Sequence, residues 1–449
     1  MNARVGALAR ARVFSRPLGR LDGVDRALMI GTAGTAVLNV GATLLNFAIT
    51  LSLSRMLGAS GFGAYAYSLA WSSLLAVPSV LGLTPLVTRN VAAYHQRKQW
   101  GALRGMLARA NQAVLISSGL AIAIGVVIGF VVNGGRPELR NPYFVALLLV
   151  PVIALTSIRQ AAMQGLNRVV LGRTPETLVA PALFLAFVAT AYAAASDSLS
   201  ATWVVALQVA ASVVALVAGG LLLWRALPDP AKTDPAEYET RQWIRSALPL
   251  LVFAAVQTLN TQIEVVLLGA IKGSEDAGLL SVAARVAGIV NFVGLAASYS
   301  VSPMIARLHA AGDIGALARA VRRAALGVFV ATLPIAVGVL VFARPLLALF
   351  GGEFKGGETA LFLLALAQVG FAATGFAGNV LVMTGNESWL TRGMLANAVT
   401  NIGLNAVLIP LFGLNGAAVG SATSLTVMNV CLVYFARRRV GIASTALGI

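Results

Sequence analysis

The chain has 449 residues, of which 58% are hydrophobic and 11% charged, with a formal net charge of +17. A soluble domain carries about 25% charged residues, so this balance excludes a water-soluble enzyme and predicts one integral membrane unit. The basic excess lies in short loops between apolar runs, which argues against nucleic acid as a partner, and a single cysteine (Cys431) with two distant histidines (His95, His309) excludes a disulfide framework or a zinc centre.

In chain order, residues 1–27 form a basic segment with no convincing cleavage site before the first apolar run. Twelve apolar spans follow, at about 28–53, 62–87, 110–132, 143–166, 177–196, 203–224, 247–271, 278–305, 324–349, 358–384, 389–409 and 414–435. Each is long enough to cross about 30 Å of hydrocarbon. An even number puts both termini on one side. The segments on that side hold 25 Lys/Arg against 6 in the alternate loops, which predicts cytoplasmic termini in the inner membrane of the cell. The expected organisation is an N-lobe (28–224, spans 1–6), a Pro-containing charged linker (225–246), a C-lobe (247–435, spans 7–12) and a basic tail (436–449).

The halves carry the same landmarks in the same order. Span 2 ends in Pro85-x-x-x-Arg89 and then Gly101-Ala102-Leu103; span 8 ends in Pro303-x-x-x-Arg307 and then Gly315-Ala316-Leu317. The hairpin Leu57-Gly58…Gly63-Ala64-Tyr65 parallels Leu268-Gly269…Gly278-Leu279-Leu280. Six spans per half is an even number, so the repeat is parallel. Transporters built from repeats bind their cargo between the halves.

Two polar stripes point to that place. On span 1, Thr32, Thr35, Asn39, Thr43, Asn46 and Thr50 recur every three or four residues and share one helix face. Span 7 matches this with Gln257, Asn260, Thr261 and Glu264 after a shift of about 214 residues. Amides and hydroxyls in hydrocarbon are costly unless satisfied. The stripes therefore either join packed helices or wall a shared aqueous cavity, and their recurrence in both halves favours the cavity. Asn397, Asn401 and Asn405 on span 11 fit either reading equally.

Ionisable groups inside spans are functional hypotheses by default. Arg159 fits a snorkel to the cytoplasmic interface or a place in the cavity. Glu264 and Arg285 lie on adjacent antiparallel spans, both about 10 Å below the outer surface at 1.5 Å per residue. They predict an ion pair; the sharper readings are a coupling cation at Glu264 and an anionic cargo at Arg285. Arg89 and Arg307 would stand nearest the cytoplasmic entry. The candidate cargo contacts are thus Asn39, Thr43, Asn46, Arg89, Arg159, Gln257, Asn260, Arg285 and Arg307. There is no catalytic set and no phosphate-cradling loop, and neither a cofactor nor a structural metal is expected.

Several segments resemble a known family. They are Leu53-Ser-Arg-Met-Leu-Gly-Ala-Ser-Gly-Phe-Gly-Ala-Tyr65, Ile263-Glu-Val-Val-Leu-Leu-Gly269 with Gly278-Leu-Leu-Ser-Val-Ala-Ala-Arg285, Leu349-Phe-Gly-Gly352, Met383-Thr-Gly385, and Leu404-Asn-Ala-Val-Leu-Ile-Pro410 with Phe412-Gly-Leu-Asn-Gly-Ala-Ala418. In that order they are similar to the polysaccharide-biosynthesis flippases of the multidrug/oligosaccharidyl-lipid/polysaccharide exporter superfamily. The resemblance implies an all-α, V-shaped fold of six plus six helices working by alternating access. It implies as cargo a polyprenyl-diphosphate-linked oligosaccharide, turned to the outer leaflet for O-antigen- or exopolysaccharide-type synthesis, with a polysaccharide polymerase and other assembly proteins as partners. Relatives often carry Asp where Glu264 stands, and the charge is kept. Lipid II flippases have more than twelve spans and several basic residues in the first helix, and this chain has neither. A cation-coupled multidrug exporter of the same superfamily is the alternative; Glu264 supports it, but span 1 carries no acid. A membrane glycosyltransferase or polysaccharide polymerase would need a substantial outward loop with acids or arginines, and the outward loops are about ten residues or fewer.

Overall fold

The computed structural model describes residues 23–194, 199–238, 240–442 and 445–446, without the side chains of 23–33, 36 and 240–249. Most of the basic N-terminal segment, the Thr32 side chain and much of the tail beyond 442 therefore lie outside the described residues. Every regular element among the described residues is a helix, as the apolar spans require: in lipid each backbone N–H and C=O must be satisfied within its own segment.

Among the described residues, ten helices are long and apolar enough to cross a bilayer. Two of them, Gly23–Val80 and Glu387–Val440, run 58 and 54 residues, far beyond the roughly 20 that one crossing needs. Each breaks at a glycine held at positive φ, Gly58 at 67° and Gly413 at 55°, where a Cβ would be strained. The Gly413 break reverses the chain. Asn401 Nδ2 donates to Ser424 Oγ at 3.0 Å across it, although a straight helix would hold these residues about 35 Å apart. Among the described residues ten helical stretches thus stand where twelve spans were expected, and the difference lies at the two glycine breaks.

Backbone turns recur between the halves. After span 4, the N–H groups of Leu166, Asn167 and Arg168 donate to the carbonyls of Ala162, Gln164 and Met163; after span 10, those of Thr384, Gly385 and Asn386 donate to Val380, Val382 and Leu381. Asn167 and Gly385 both take positive φ, 60° and 74°. Other spans are interrupted: span 4 between Ala146 and Leu149, span 5 by a π-helical turn at Pro175–Val179, and span 8 by a 3-10 turn at Ile289–Asn291.

The halves touch most closely where span 2 crosses span 8. A Cβ at Gly63 would lie 1.7 Å from the Ser274 carbonyl oxygen, and one at Gly278 would lie 2.2 Å from that of Ala59. The contact is reciprocal: Ala59-x-x-x-Gly63 meets Ser274-x-x-x-Gly278, a small-xxx-small crossing that lets two backbones approach. Ser60 Oγ and Ser274 Oγ share a hydrogen bond of 2.8 Å at its edge. Around it Arg55 Nε donates to the Leu349 carbonyl at 2.6 Å, the Ala59 N–H donates to Glu353 Oε2 at 2.8 Å, and Arg136 donates to the Ala270 carbonyl at 3.1 Å. Phe62 and Phe354 meet edge to face at 6.2 Å. This seals the face that carries the basic-poor loops. On the opposite, basic face the linker lies against the first half, with Arg104 donating to the Asp234 carbonyl at 2.8 Å and the Arg109 guanidinium 4.4 Å over the Tyr238 ring.

Gly63→Ala and Gly278→Ala should each lower the thermal midpoint of the purified protein, an overpacking cost of about 1–3 kcal/mol. Because both clashes belong to one crossing, the double variant should lose less than the sum. Strict additivity would show that they are separate contacts.

Candidate functional site

Below the crossing the interface opens. Spans 2 and 4 of the first half and span 7 of the second enclose a cavity of about 540 Å³. Its polar wall is Ser73, Thr84 and Ser157 on one side and Gln257, Thr258, Thr261 and Gln262 on the other; Val77, Phe253 and other apolar side chains complete it. Of the expected cargo contacts, Gln257 lines this cavity. No charged side chain does, so its chemistry is that of hydroxyls and amides beside apolar surface.

The span 1 stripe is exposed at Thr43 and Asn46, half-buried at Asn39 and buried at Thr50. Its members satisfy part of their own hydrogen bonding. Thr43 donates to the Asn39 carbonyl, Asn46 to that of Ala42 and Thr50 to that of Asn46, each at 2.8 Å. Asn39 Nδ2 reaches across the interface to Tyr299 Oη on span 8 at 2.8 Å. Spans 1 and 8 therefore meet through a side-chain hydrogen bond at this depth, well removed along both helices from the glycine crossing.

The expected Glu264–Arg285 ion pair does not form; the two side chains face different neighbours. Glu264 Oε1 accepts from Asn401 Nδ2 on span 11 at 2.8 Å, and Ser421 on span 12, whose hydroxyl donates to the Ala417 carbonyl at 2.8 Å, stands beside its carboxylate. Asn401 bonds Ser424 as well, and Asn405 Nδ2 donates to Asn401 Oδ1 at 2.9 Å. Asn405 Oδ1 is buried without a partner. The span 11 asparagines thus have a partner stripe after all, on spans 7 and 12. Asn260 also turns into this half and donates to the Met394 carbonyl at 3.0 Å, so it joins helices and does not wall the cavity. Arg285 lies toward the first half, with Tyr65 of span 2 as its electrostatic neighbour. It is exposed, and among the described residues it makes no ion pair.

Arg159 neither snorkels nor enters the cavity. It is held inside the first half, donating to the Leu216 carbonyl of span 6 and at 2.8 Å to Thr156 Oγ1. Glu176 stands nearby and accepts from Gln160. The π-helical turn at Pro175–Val179 carries Glu176, which a span boundary drawn at 177 left in the loop. Arg89 and Arg307 are exposed on the basic-face ends of their helices. The sequence reading missed Tyr299, Ser421, Ser424 and Glu176. Ser421 and Ser424, spaced i, i+3 on span 12, were the one legible signal.

A family model described as "Polysaccharide biosynthesis protein" matches residues 28–309. The chain belongs to the polysaccharide biosynthesis protein family. A second model, MatE, matches residues 249–411. A Haloferax volcanii protein named probable low-salt glycan biosynthesis flippase Agl15 is 23% identical over 401 residues, covering 88% of this chain and 80% of that protein. Two solved structures share the fold. An inward-facing multidrug resistance MATE family transporter of the MOP superfamily aligns with TM-score 0.72 at 15% identity, over 89% of this chain and 94% of its own. The lipid II flippase MurJ in an inward closed conformation aligns with TM-score 0.71 at 13% identity, over 91% and 87%. The fold of this family member is therefore that of a multi-pass, all-helical transporter.

The rearranged partners of Glu264 give a direct test. In a double-mutant cycle on unfolding stability, Glu264→Ala and Asn401→Ala should be coupled by about 0.5–3 kcal/mol, because either change strands a buried polar group. The Glu264→Ala and Arg285→Ala pair should be additive. Strong coupling in the second cycle would restore the ion pair.

Proposed function

We propose that this protein is a flippase that moves a polyprenyl-diphosphate-linked oligosaccharide from the cytoplasmic to the outer leaflet for surface polysaccharide synthesis. The observation that carries this reading is the asymmetry of the interface. One face is closed by backbone contact at Gly63 and Gly278, while toward the other the halves part around a wall of hydroxyls and amides. A diphosphate and its sugars cannot enter hydrocarbon without replacement for their water. Such a wall supplies it, and the prenyl chain stays in lipid between spans 1 and 8. Arg285, unpaired beside Tyr65, is the group we assign to the diphosphate, with Arg89 and Arg307 at the entry. The 25-to-6 distribution of Lys/Arg supports a cytoplasmic placement of the basic face and both termini. Family membership and the flippase named among the relatives support the same cargo class.

In this scheme Glu264 couples transport to a cation. Its carboxylate, Asn401, Asn405 with its unpartnered Oδ1, Ser421 and Ser424 bring oxygen atoms together from spans 7, 11 and 12. A proton or a small hard cation suits such oxygen donors, and its binding would alter how these spans pack. The second reading, a cation-coupled multidrug exporter, draws on the same carboxylate and on the MatE match over 249–411.

Deleting the gene should abolish surface polysaccharide while lipid-linked units accumulate on the cytoplasmic face, and the wild-type gene should restore export. Arg285→Ala should restore little, and Arg285→Lys only part, because an ammonium does not reproduce the planar fork that holds a phosphate. Glu264→Gln should fold and reach the membrane yet fail to restore export. Normal polysaccharide with hypersensitivity to cationic drugs would transfer the assignment to the exporter.

A further inference from the structure

A second group of arginines lies away from the interface, where spans 11 and 12 reach the basic face. The guanidinium of Arg392 sits 4.1 Å from the ring centre of Trp389, and that of Arg439, from the other helix, sits 4.2 Å from it. The Phe435 ring packs on the same indole at 4.8 Å, and Tyr434 continues the row at 5.7 Å. Arg438 donates to Tyr434 Oη at 2.8 Å. Arg437, Arg438 and Arg439 fill the last turn before Val440.

These charges lack a counter-charge. Arg392, Arg437, Arg438 and Arg439 are exposed, and among the described residues none of them joins an ion pair. Glu387, the acid on the first turn of the same helix, is exposed and pairs with none of them. Two guanidinia drawn to one ring repel each other. Stacking on the half-buried Trp389 indole offsets only part of that repulsion. Each guanidinium also keeps most of its N–H donors free in a planar fork that matches a phosphate. An oxyanion seated here would fill those donors and offset the repulsion.

The surroundings say which oxyanion. Moving from the arginines toward mid-membrane, span 11 presents Leu395 and Val399, three and seven residues past Arg392. Span 12 presents Tyr434 and Val430, four and eight residues before Arg438. All four are between 49% and 65% exposed, and the spacing keeps each set on one helix face. In a membrane-spanning helix such faces meet acyl chains, and Trp and Tyr at their end belong at the headgroup level. The phosphate that fits is therefore one with tails attached.

We propose that Trp389, Arg392, Arg438 and Arg439 form a headgroup site for an anionic phospholipid on the outer flank of the second half. The guanidinia hold the phosphodiester and the acyl chains lie along Leu395, Val399 and Val430. Basic pockets between transmembrane helices recognise anionic headgroups in this way. The site is separate from the cargo path and does not depend on what the protein transports.

The test uses the purified full-length protein in detergent, with phosphatidylglycerol, phosphatidylcholine or inorganic phosphate added, read by native mass spectrometry and by thermal unfolding. Phosphatidylglycerol should remain bound and raise the midpoint, and the other two should not. R392Q/R439Q should lower retention at least about tenfold, at roughly 1 kcal/mol per lost charge, and R392K/R439K should lie between it and the wild type. R322Q/R323Q, a basic pair at the start of span 9, should retain the lipid as the wild type does. Equal effects of the two lipids, a full shift from phosphate alone, or an equal loss in R322Q/R323Q would overturn the proposal. The three wild-type arms and the lysine pair decide it even if the glutamine pair does not fold.

Discussion

Everything about the interface follows from two backbones touching at Gly63 and Gly278. Helices with ordinary side chains pack about 8–10 Å apart. At this crossing the side chains are absent, and the two halves are pinned at one depth of the membrane. Helices that meet this closely and at an angle must diverge elsewhere, and the divergence is the cavity. The surrounding seal, Arg55 on the Leu349 carbonyl and Glu353 on the Ala59 N–H, uses single hydrogen bonds between a side chain and a backbone group. Such contacts can be exchanged for water without disturbing either half. In the alternating-access scheme we propose, this crossing is the pivot, close enough to hold register and weak enough at its rim to open.

The second constraint is that no polar group in hydrocarbon goes unsatisfied for free. The structure meets it in two ways. The stripe of span 1, exposed at Thr43 and Asn46 and buried at Thr50, bonds back to its own helix, Thr43 to Asn39 and Thr50 to Asn46, so these bonds stay intact whether the interface is open or closed. The buried cluster around Glu264 bonds between helices and ties spans 7, 11 and 12 together through one carboxylate and the Asn401 amide that bridges it to Ser424. A change in the state of that carboxylate is felt by three helices at once. In the proposed scheme this makes it the lever on the second half, in a way that the self-bonded stripe is not.

Composition and hydropathy made the helical membrane class legible, and the repeated Pro-x-x-x-Arg and Gly-Ala-Leu landmarks made the duplication legible. The Glu264–Arg285 pairing was misread for a definite reason. The rotation of span 8 relative to span 7 is set by Gly273, at φ 110° and ψ −175°, and no periodicity in either helix encodes the angle of a glycine turn. Glu264 faces Asn401 because span 11, 137 residues away, packs on that side. Arg159 was placed by its distance from a span end, whereas its real determinant is the room that Gly219 leaves beside it. The Asn39–Tyr299 contact joins residues 260 apart, beyond the reach of helical spacing. Faces of single helices could be read; which face meets which could not.

The central claim is movement of a lipid-linked sugar across the bilayer, and reconstitution addresses it most directly. The purified protein would be placed in vesicles carrying a fluorescently labelled polyprenyl-diphosphate oligosaccharide, and a membrane-impermeant quencher added outside. Protein-free vesicles should lose about half the signal, the share of label in the outer leaflet. Vesicles with protein should lose nearly all of it, and those with Arg285→Ala should resemble the empty ones. Loss confined to half the label in the presence of folded wild-type protein, with and without a cation gradient, would contradict the account.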